Sequence, residues 1–142
     1  MSSLNQNRDT MQELLENAQT IAVVGHSDKN YRTSYQIANY LRAQGYTIIP
    51  VNPTVDTIDG EKSYASLADV PIPIDMVNVF RRSEHLAGIV DEAIALNIPA
   101  IWTQLGVIDI NARDKAIDAG IKFAMDLCIK VEHRRLGIPH KA

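Results

Sequence analysis

The sequence has 142 residues, of which 46% are hydrophobic and 22% are charged, and its formal net charge is -3. This length fits one domain with a hydrophobic core, and the small negative charge provides no field that would attract nucleic acid or an anionic membrane surface. The single cysteine excludes an internal disulfide and a multi-thiolate metal site.

Short apolar runs predict buried parallel strands that alternate with helices. The strands are predicted at residues 20–25, 46–51, 75–80 and 100–103, and a weaker run predicts a fifth at 121–125. Such alternation is typical of a parallel sheet that is covered by helices on both faces. The sequence therefore predicts an α/β, doubly wound fold with a mainly parallel five-stranded sheet, in one domain that spans the whole chain.

Capping signals and apolar stripes predict four helices between these strands. The N-terminal helical segment, residues 1–19, has a capping box at Thr10, and a second capping box at Thr33 begins the next helix. Ser83 and Asn111 are the predicted caps of the third and fourth helices. Right-handed connections then place a ligand beyond the carboxyl ends of the strands, where the strand order reverses.

The loop after the first predicted strand has the features of a phosphate site. Gly25 permits a tight turn, and His26 and Ser27 follow it. Lys29 and Arg32 add positive charge near a helix N-terminus, whose free N–H groups favour an anion. The alternative is a plain strand–helix connection in which the glycine serves only the turn.

Nicotinamide dinucleotide binding is disfavoured by the same loop. The GxGxxG fingerprint needs two further glycines, and Ser27 and Asn30 stand at their positions. The second strand ends with Val51, Asn52 and Pro53 and lacks the acidic residue that would bind the ribose hydroxyls. An apolar wall at Val51 and the amide of Asn52 suit the face and edge of an adenine, and a simple proline turn is the alternative.

Two adjacent arginines follow the third predicted strand. Arg81 and Arg82 come directly after Phe80 and stand at the predicted start of a helix. Positive charge there opposes the helix dipole, and an anion bound by the two guanidinium groups would explain the placement. The alternative is a pair of ordinary surface arginines.

The last two strand ends offer smaller groups. Thr103 and Gln104 can form hydrogen bonds, and Gly106 permits a close approach of the backbone. Cys128 is interpreted as a packing residue or as a thiol near the ligand. The histidines lack metal-ligand spacing, and neither a nucleophile elbow nor a Walker A sequence occurs, so no catalytic residue and no metal site are predicted.

Together these segments resemble the stand-alone bacterial CoA-binding domain proteins, which are similar to the N-terminal CoA-binding domain of the succinyl-CoA synthetase α-subunit. The resemblance covers residues 21–136 and lies in VVG, YLRAQGY, IIPVNP, DMVNVFRR, IWTQLG and DLCIKVEHRRL. It implies a Rossmann-like fold with coenzyme A across the strand ends. Carried over by position, it assigns cofactor contacts to Gly25, His26, Ser27, Lys29, Arg32, Val51, Asn52, Pro53, Phe80, Arg81, Arg82, Thr103, Gln104 and Gly106.

Within that set, the resemblance implies that the first loop and the arginines face phosphate, the second strand end faces the adenine nucleotide, and the fourth faces the pantetheine arm. The first loop departs from the family pattern, which often reads G-A-S, because His26 stands between Gly25 and Ser27. The synthetases also need a domain with a phosphorylated histidine and an ATP-grasp partner. The sequence lacks both, so their activity is not carried over.

The sequence thus predicts non-catalytic binding of coenzyme A or a short acyl-CoA, as a carrier, sensor or regulatory module. The expected partner is a small nucleotide, with no nucleic acid and no membrane. With no apolar run of signal-peptide or membrane-span length, the predicted location is the cytoplasm. Two alternatives remain open: a nicotinamide-dependent oxidoreductase, and a protein-interaction module whose nucleotide crevice is vestigial.

Overall fold

A five-stranded sheet, parallel throughout, forms the centre of the computed structural model, which describes residues 7–141. In chain order, the strands of this part are β1 (Thr20–Val24), β2 (Thr47–Val51), β3 (Thr57–Ile58), β4 (Glu61–Lys62), β5 (Met76–Val79), β6 (Ala100–Thr103) and β7 (Lys122–Ala124). The main sheet has the order β2-β1-β5-β6-β7, and β3 pairs with β4 in a separate antiparallel hairpin. Because β2 and β5 flank β1, the strand order reverses between β1 and β5.

Helices cover both faces of the main sheet. They are α1 (Arg8–Asn17), α2 (Thr33–Ala43), α3 (Leu86–Ala95), α4 (Ile110–Asp118) and α5 (Ile129–Arg135). Helices α3 and α4 pack on the face formed by residues such as Val77 and Phe123, whereas α1, α2 and α5 pack on the face formed by residues such as Met76 and Trp102. Both faces of the strands are therefore buried, which explains why the strands are continuous apolar runs.

The predicted α/β, Rossmann-like, doubly wound fold is confirmed, and every predicted strand is present with bounds that agree to within one residue. The β3–β4 hairpin and helix α5 were not predicted. Both are short, and neither has a long enough periodic pattern to stand out from a loop. Residues 1–6 of the predicted N-terminal helical segment lie outside the described residues.

The predicted helix caps were wrong at three helix starts. Asn7 caps α1, and its side chain accepts a hydrogen bond from the Thr10 N–H at 2.8 Å. Arg32 occupies the cap position of α2 without a side-chain bond, so Thr33 already lies inside the helix. Asp109 caps α4 in place of Asn111 by accepting from the Ala112 N–H at 3.0 Å. In each case several capping residues stand close together, and spacing alone does not choose between them.

The third predicted cap has another role. Ser83 begins a short 3₁₀ turn that precedes α3. Its hydroxyl oxygen accepts from the Ile108 N–H at 2.8 Å and its hydroxyl donates to the Gly106 carbonyl at 3.3 Å. Ser83 therefore connects the loop after β5 to the loop after β6, and does not cap a helix.

Gly45 and Gly120 follow the ends of helices α2 and α4. Their φ angles are 99° and 89°, a backbone conformation that is strained for any residue with a side chain. The surroundings differ, because a Cβ at Gly45 would overlap the backbone carbonyl oxygen of Lys141, whereas a Cβ at Gly120 would meet nothing within 4 Å. The close approach at Gly45 fastens the C-terminal segment, whose Lys141 N–H donates to the Gln44 carbonyl at 2.8 Å.

We expect Gly120→Ala to lower the free energy of unfolding by about 1–2 kcal/mol through backbone strain alone. Gly45→Ala should lower it by about 1–3 kcal/mol more, because the overlap with Lys141 adds overpacking to the same strain. Urea unfolding of the two variants measures the difference. Equal losses would contradict the close approach of the C-terminal segment.

A buried histidine connects α5 to α2 and to Tyr46, the residue directly before β2. His133 is 2% exposed, and its Nδ1 is hydrogen-bonded to the Tyr40 hydroxyl at 2.8 Å. The rings of Tyr40 and Tyr46 stand edge-on to the imidazole. Burial, with a smaller contribution from the positive charge of Lys141, lowers the pKa of His133 below its ordinary value of 6.5. The neutral imidazole is therefore the form that the folded protein stabilises.

This lowered pKa predicts how stability depends on pH. Below about pH 6.5 the unfolded chain binds a proton at His133 that the folded chain resists, so the free energy of unfolding should fall as the pH falls. His26, whose pKa burial also lowers, should contribute in the same direction. His133→Gln should reduce this pH dependence in denaturant titrations, measured from pH 7.5 to 5, without removing it. The same slope in both proteins would contradict the assignment.

Candidate functional site

An open crevice of about 460 Å³ lies at the carboxyl ends of β1, β2 and β5. This is the edge of the sheet where the strand order reverses, and it is where doubly wound folds bind their ligands. The crevice is lined by Gly25, Ser27, Asp28, Lys29, Arg32, Thr33, Ser34, Asn52, Thr54, Val55 and Phe80. Six of the predicted contact residues are among them: Gly25, Ser27, Lys29, Arg32, Asn52 and Phe80.

Gly25 connects the three strands that form the crevice. Its N–H donates to the Val51 carbonyl at the end of β2 at 2.8 Å, and its φ angle is 90°. A Cβ here would lie 2.8 Å from the backbone carbonyl oxygen of Phe80, directly after β5. Any other residue would therefore have to separate the ends of β1 and β5, and the glycine is required by both conformation and space.

The loop after Gly25 is fastened to the start of α2 by serine hydroxyls. The Ser27 N–H donates to Ser34 Oγ at 2.9 Å, and the Lys29 N–H donates to Ser27 Oγ at 3.0 Å. Thr33, the first residue of α2, lines the crevice, so a helix N-terminus faces it. This end of a helix favours an anion.

Charged side chains surround the helix start. Lys29 and Arg32 both line the crevice, and the Arg32 guanidinium lies 5.8 Å from the centre of the exposed Tyr31 ring. Asp28 lies 3.9 Å from the Lys29 ammonium and partly offsets its charge. The net local charge is positive on a chain whose overall charge is negative.

Asn52 holds the second loop against the first. Its side-chain amide donates to the His26 carbonyl at 2.9 Å, and its Oδ1 accepts from the Thr54 N–H and hydroxyl at 3.0 and 2.8 Å. Most of the hydrogen-bonding capacity of the amide is therefore used within the protein. Asn52 lines the crevice mainly as a structural residue.

Two predicted contact residues of these loops are buried away from the crevice. Val51 is 3% exposed and belongs to the core, so Val55 supplies the apolar group of the crevice wall. His26 is fully buried, with Nδ1 donating to the Ser27 carbonyl at 2.8 Å and Nε2 accepting from Arg42 at 3.2 Å. Burial lowers the pKa of His26, so the neutral imidazole supports the loop from below.

The two predicted arginines have different surroundings. Arg81 is half-buried beside Gly25, and its guanidinium lies 3.2 Å from His85 Nε2. The Arg82 side chain is 86% exposed and lies 3.8 Å from Glu84. Arg81 thus adjoins the crevice, whereas Arg82 extends into solvent.

Thr103, the last residue of β6, and the neighbouring loop that follows it do not line the crevice. Thr103 is fully buried, and its hydroxyl donates to the Val107 carbonyl at 2.7 Å while accepting from the Asp126 N–H at 2.9 Å. Gly106, with a φ angle of 84°, donates its N–H to the Asp126 carboxylate at 2.7 Å. Gln104 is 8% exposed at the end of β6.

Pro53 is exposed beside the crevice, and Cys128 is half-buried at the start of α5, where it packs against the core. Sequence reasoning missed five crevice residues: Asp28, Thr33, Ser34, Thr54 and Val55. All five lie next to predicted residues in the chain, either between Ser27 and the start of the predicted capping box or directly after Pro53, so this proximity was the available signal.

Between residues 7 and 141 there is no helix long and apolar enough to cross a membrane. The same residues contain no group of three or more histidine, cysteine, aspartate or glutamate side chains that could hold a metal ion.

Known proteins are similar to this chain in sequence and in structure. A Bacillus subtilis (strain 168) protein, the uncharacterized protein YneT, is 43% identical over 129 residues, which are 91% of this chain and 96% of that protein. The 4-hydroxybutyrate–CoA ligase (ADP-forming) of Nitrosopumilus maritimus (strain SCM1) is 32% identical over 100 residues, which are 70% of this chain and 14% of the ligase. The structure of a hypothetical protein from Pyrococcus horikoshii OT3 is 32% identical, with a TM-score of 0.88 over 92% of each chain.

The chain also matches the model of a protein family. Residues 19–134 match the family described as the CoA binding domain, and this range includes the whole crevice and the neighbouring loop after β6. The same domain is related to a segment of an acyl-CoA ligase, as the similarity to the Nitrosopumilus enzyme indicates. The chain therefore belongs to the CoA-binding domain family.

Proposed function

We propose that this chain binds coenzyme A or a short acyl-CoA in the crevice at the ends of β1, β2 and β5, without catalysing a reaction on it. The observation that carries the proposal is the joint position of the Gly25 turn, the N-terminus of α2 and the cations Lys29 and Arg32. A glycine turn lets the backbone approach a phosphate closely, and the helix start and cations supply the charge that a phosphate needs.

The shape of coenzyme A fits the arrangement of the strand ends. Its diphosphate would lie over the loop from Gly25 to Ser27 at the start of α2, with Arg81 beside it. Its adenine would lie between Pro53 and Val55, because these residues supply the exposed and half-buried apolar surface after β2. Its pantetheine arm would then extend across β5 towards the loop after β6.

The predicted contact residues divide into two groups under this proposal. Gly25, Ser27, Lys29, Arg32, Pro53, Phe80, Arg81 and Arg82 would touch or attract the cofactor, and Gln104 and Gly106 would meet its arm. His26, Val51, Asn52 and Thr103 would act by holding the loops in place, because their side chains are buried or bonded within the protein.

We further propose a carrier, sensor or regulatory role for this binding, in the cytoplasm. Among the residues that line the crevice, no nucleophile has a histidine beside it as a general base, and His26, directly after Gly25, is bonded at both ring nitrogens. The similarity to a segment of an acyl-CoA ligase supports the same expectation, because such a segment can share the binding of coenzyme A with this chain without the activity of the whole ligase.

Calorimetric titration tests the proposal. Coenzyme A should bind, and NADH should bind far more weakly, because the crevice has a single glycine where a dinucleotide fingerprint needs three. ATP serves as the control for general attraction of a nucleotide triphosphate to the cations. NADH affinity equal to or higher than that of coenzyme A would overturn the proposal in favour of an oxidoreductase, and binding of none of the three would favour an interaction module.

Replacing Arg81 and Arg82 together with alanine should weaken coenzyme A binding by about 1.5–3 kcal/mol, the value of a hydrogen bond to a charged group. The single change Arg81→Ala should account for most of the loss, because Arg82 is exposed and lies beside Glu84. Stability of the free protein should change little, because Arg82 is exposed and the guanidinium of Arg81 contacts the exposed His85.

The matched control is the double change Arg8→Ala and Lys115→Ala, which removes the same charge from two exposed positions that do not line the crevice. Affinity lost equally in both double variants would show that the arginines act only through net charge. Unchanged affinity on loss of Arg81 and Arg82 would show that they are ordinary surface residues.

A further inference from the structure

A buried amide without a hydrogen-bonding partner lies in the middle of the sheet. Asn78 belongs to β5, is fully buried, and stands in register with Val23 of β1 and Trp102 of β6. Neither its Oδ1 nor its Nδ2 meets a hydrogen-bonding group within residues 7–141. Gln104 has a similar defect, because the side chain is 8% exposed and its Oε1 also lacks a partner among those residues.

Such groups oppose folding. A buried polar group loses its hydrogen bonds to water, and the loss is recovered only when the protein or a ligand supplies a partner. An apolar residue at position 78 would pack in the same strand without this penalty. The amide is therefore retained against stability, and such exceptions point to a role in function.

The two amides lie on the same face of the sheet, near its carboxyl edge. Side chains alternate along a strand, so Asn78 shares a face with Phe80, and Gln104 shares that face with Trp102. Asn78 is opposite Trp102, which places Gln104 one strand across and two residues nearer to the carboxyl edge. Phe80 both lines the crevice and packs against this face, and it stands two residues nearer to the carboxyl edge than Asn78.

We propose that Asn78 and Gln104 form a binding subsite for the amide groups of the pantetheine arm, reached when the Phe80 side chain turns aside. The arm of coenzyme A contains two secondary amides, each with one N–H donor and one carbonyl acceptor. Gln104 Oε1 accepts from one N–H, while Asn78 offers Nδ2 to a carbonyl and Oδ1 to the other N–H. An aliphatic chain would leave these groups unpaired, so the subsite selects an amide-containing arm.

This inference rests on the proposed function and adds the part of the ligand that the crevice residues do not explain. Asn78 is fully buried, and the half-buried Phe80 lies between it and the carboxyl edge along the chain, so the arm would reach the amide only if the Phe80 ring moved. Binding of the nucleotide half alone would not require the ring to move. The two halves of coenzyme A should therefore respond differently to changes at Asn78.

The test compares two ligands on three proteins by calorimetry: coenzyme A, and adenosine 3′,5′-bisphosphate, which has the nucleotide without the arm. Asn78→Leu should weaken coenzyme A about tenfold, the effect of losing one or two neutral hydrogen bonds, and leave the bisphosphate unchanged. The control Met76→Leu alters the same face of β5 without removing a polar group, and should change neither affinity. The melting temperature of free Asn78→Leu should equal or exceed that of the unaltered protein.

A second variant, Gln104→Met, keeps the length of the side chain at a position near the surface, and should show the same selective loss even if Asn78→Leu fails to fold. Coenzyme A affinity unchanged in either folded variant, or reduced equally for both ligands, would overturn the subsite and leave the proposed function standing. Failure of the unaltered protein to bind coenzyme A would overturn both.

Discussion

The close approach of two backbones at Gly25 is the constraint on which the rest of the site depends. The φ angle of 90° turns the chain out of β1, and the absence of a side chain lets the turn pass the Phe80 carbonyl after β5. The N–H of the same residue extends the hydrogen-bonding ladder to Val51 of β2. Three strand ends are thereby held at one edge, and the loops that leave them must share the space above it.

A network of polar hydrogen bonds also holds those loops in place in the free protein. Asn52 joins the second loop to the carbonyl of His26, and Ser34 joins the first loop to α2. Groups that are already positioned lose little conformational entropy on binding, so a site of this kind gains affinity from rigidity. Phe80 differs from these residues, because it lines the crevice and follows by two residues Asn78, whose buried amide has no hydrogen-bonding partner among residues 7–141.

The sequence predicts the sheet well because burial on both faces produces an apolar run for each strand, as at Thr20–Val24 and Ala100–Thr103. The location of the crevice follows from topology, since ligands bind where strand order reverses. The directions of individual side chains do not follow. Val51 and His26 are turned inward by tertiary contacts with the core and with Arg42, and no local pattern reports such contacts. Capping residues were misassigned for a different reason. Asp109 and Asn111 can both cap a helix and lie two residues apart, and the sequence pattern does not locate a helix start that accurately.

The contact of Lys141 with Gly45 also fixes where the C-terminal segment lies relative to the crevice. Helix α2 begins at the crevice with Thr33, runs antiparallel to the strands and ends at Ala43, shortly before Gly45, so Lys141 lies at the opposite edge of the sheet. Lys141 is held there by its N–H on the Gln44 carbonyl and by its ammonium on the Glu16 carbonyl. A surface support or a reporter protein attached next to this residue would leave the crevice facing outward, which suits the chain to oriented immobilisation.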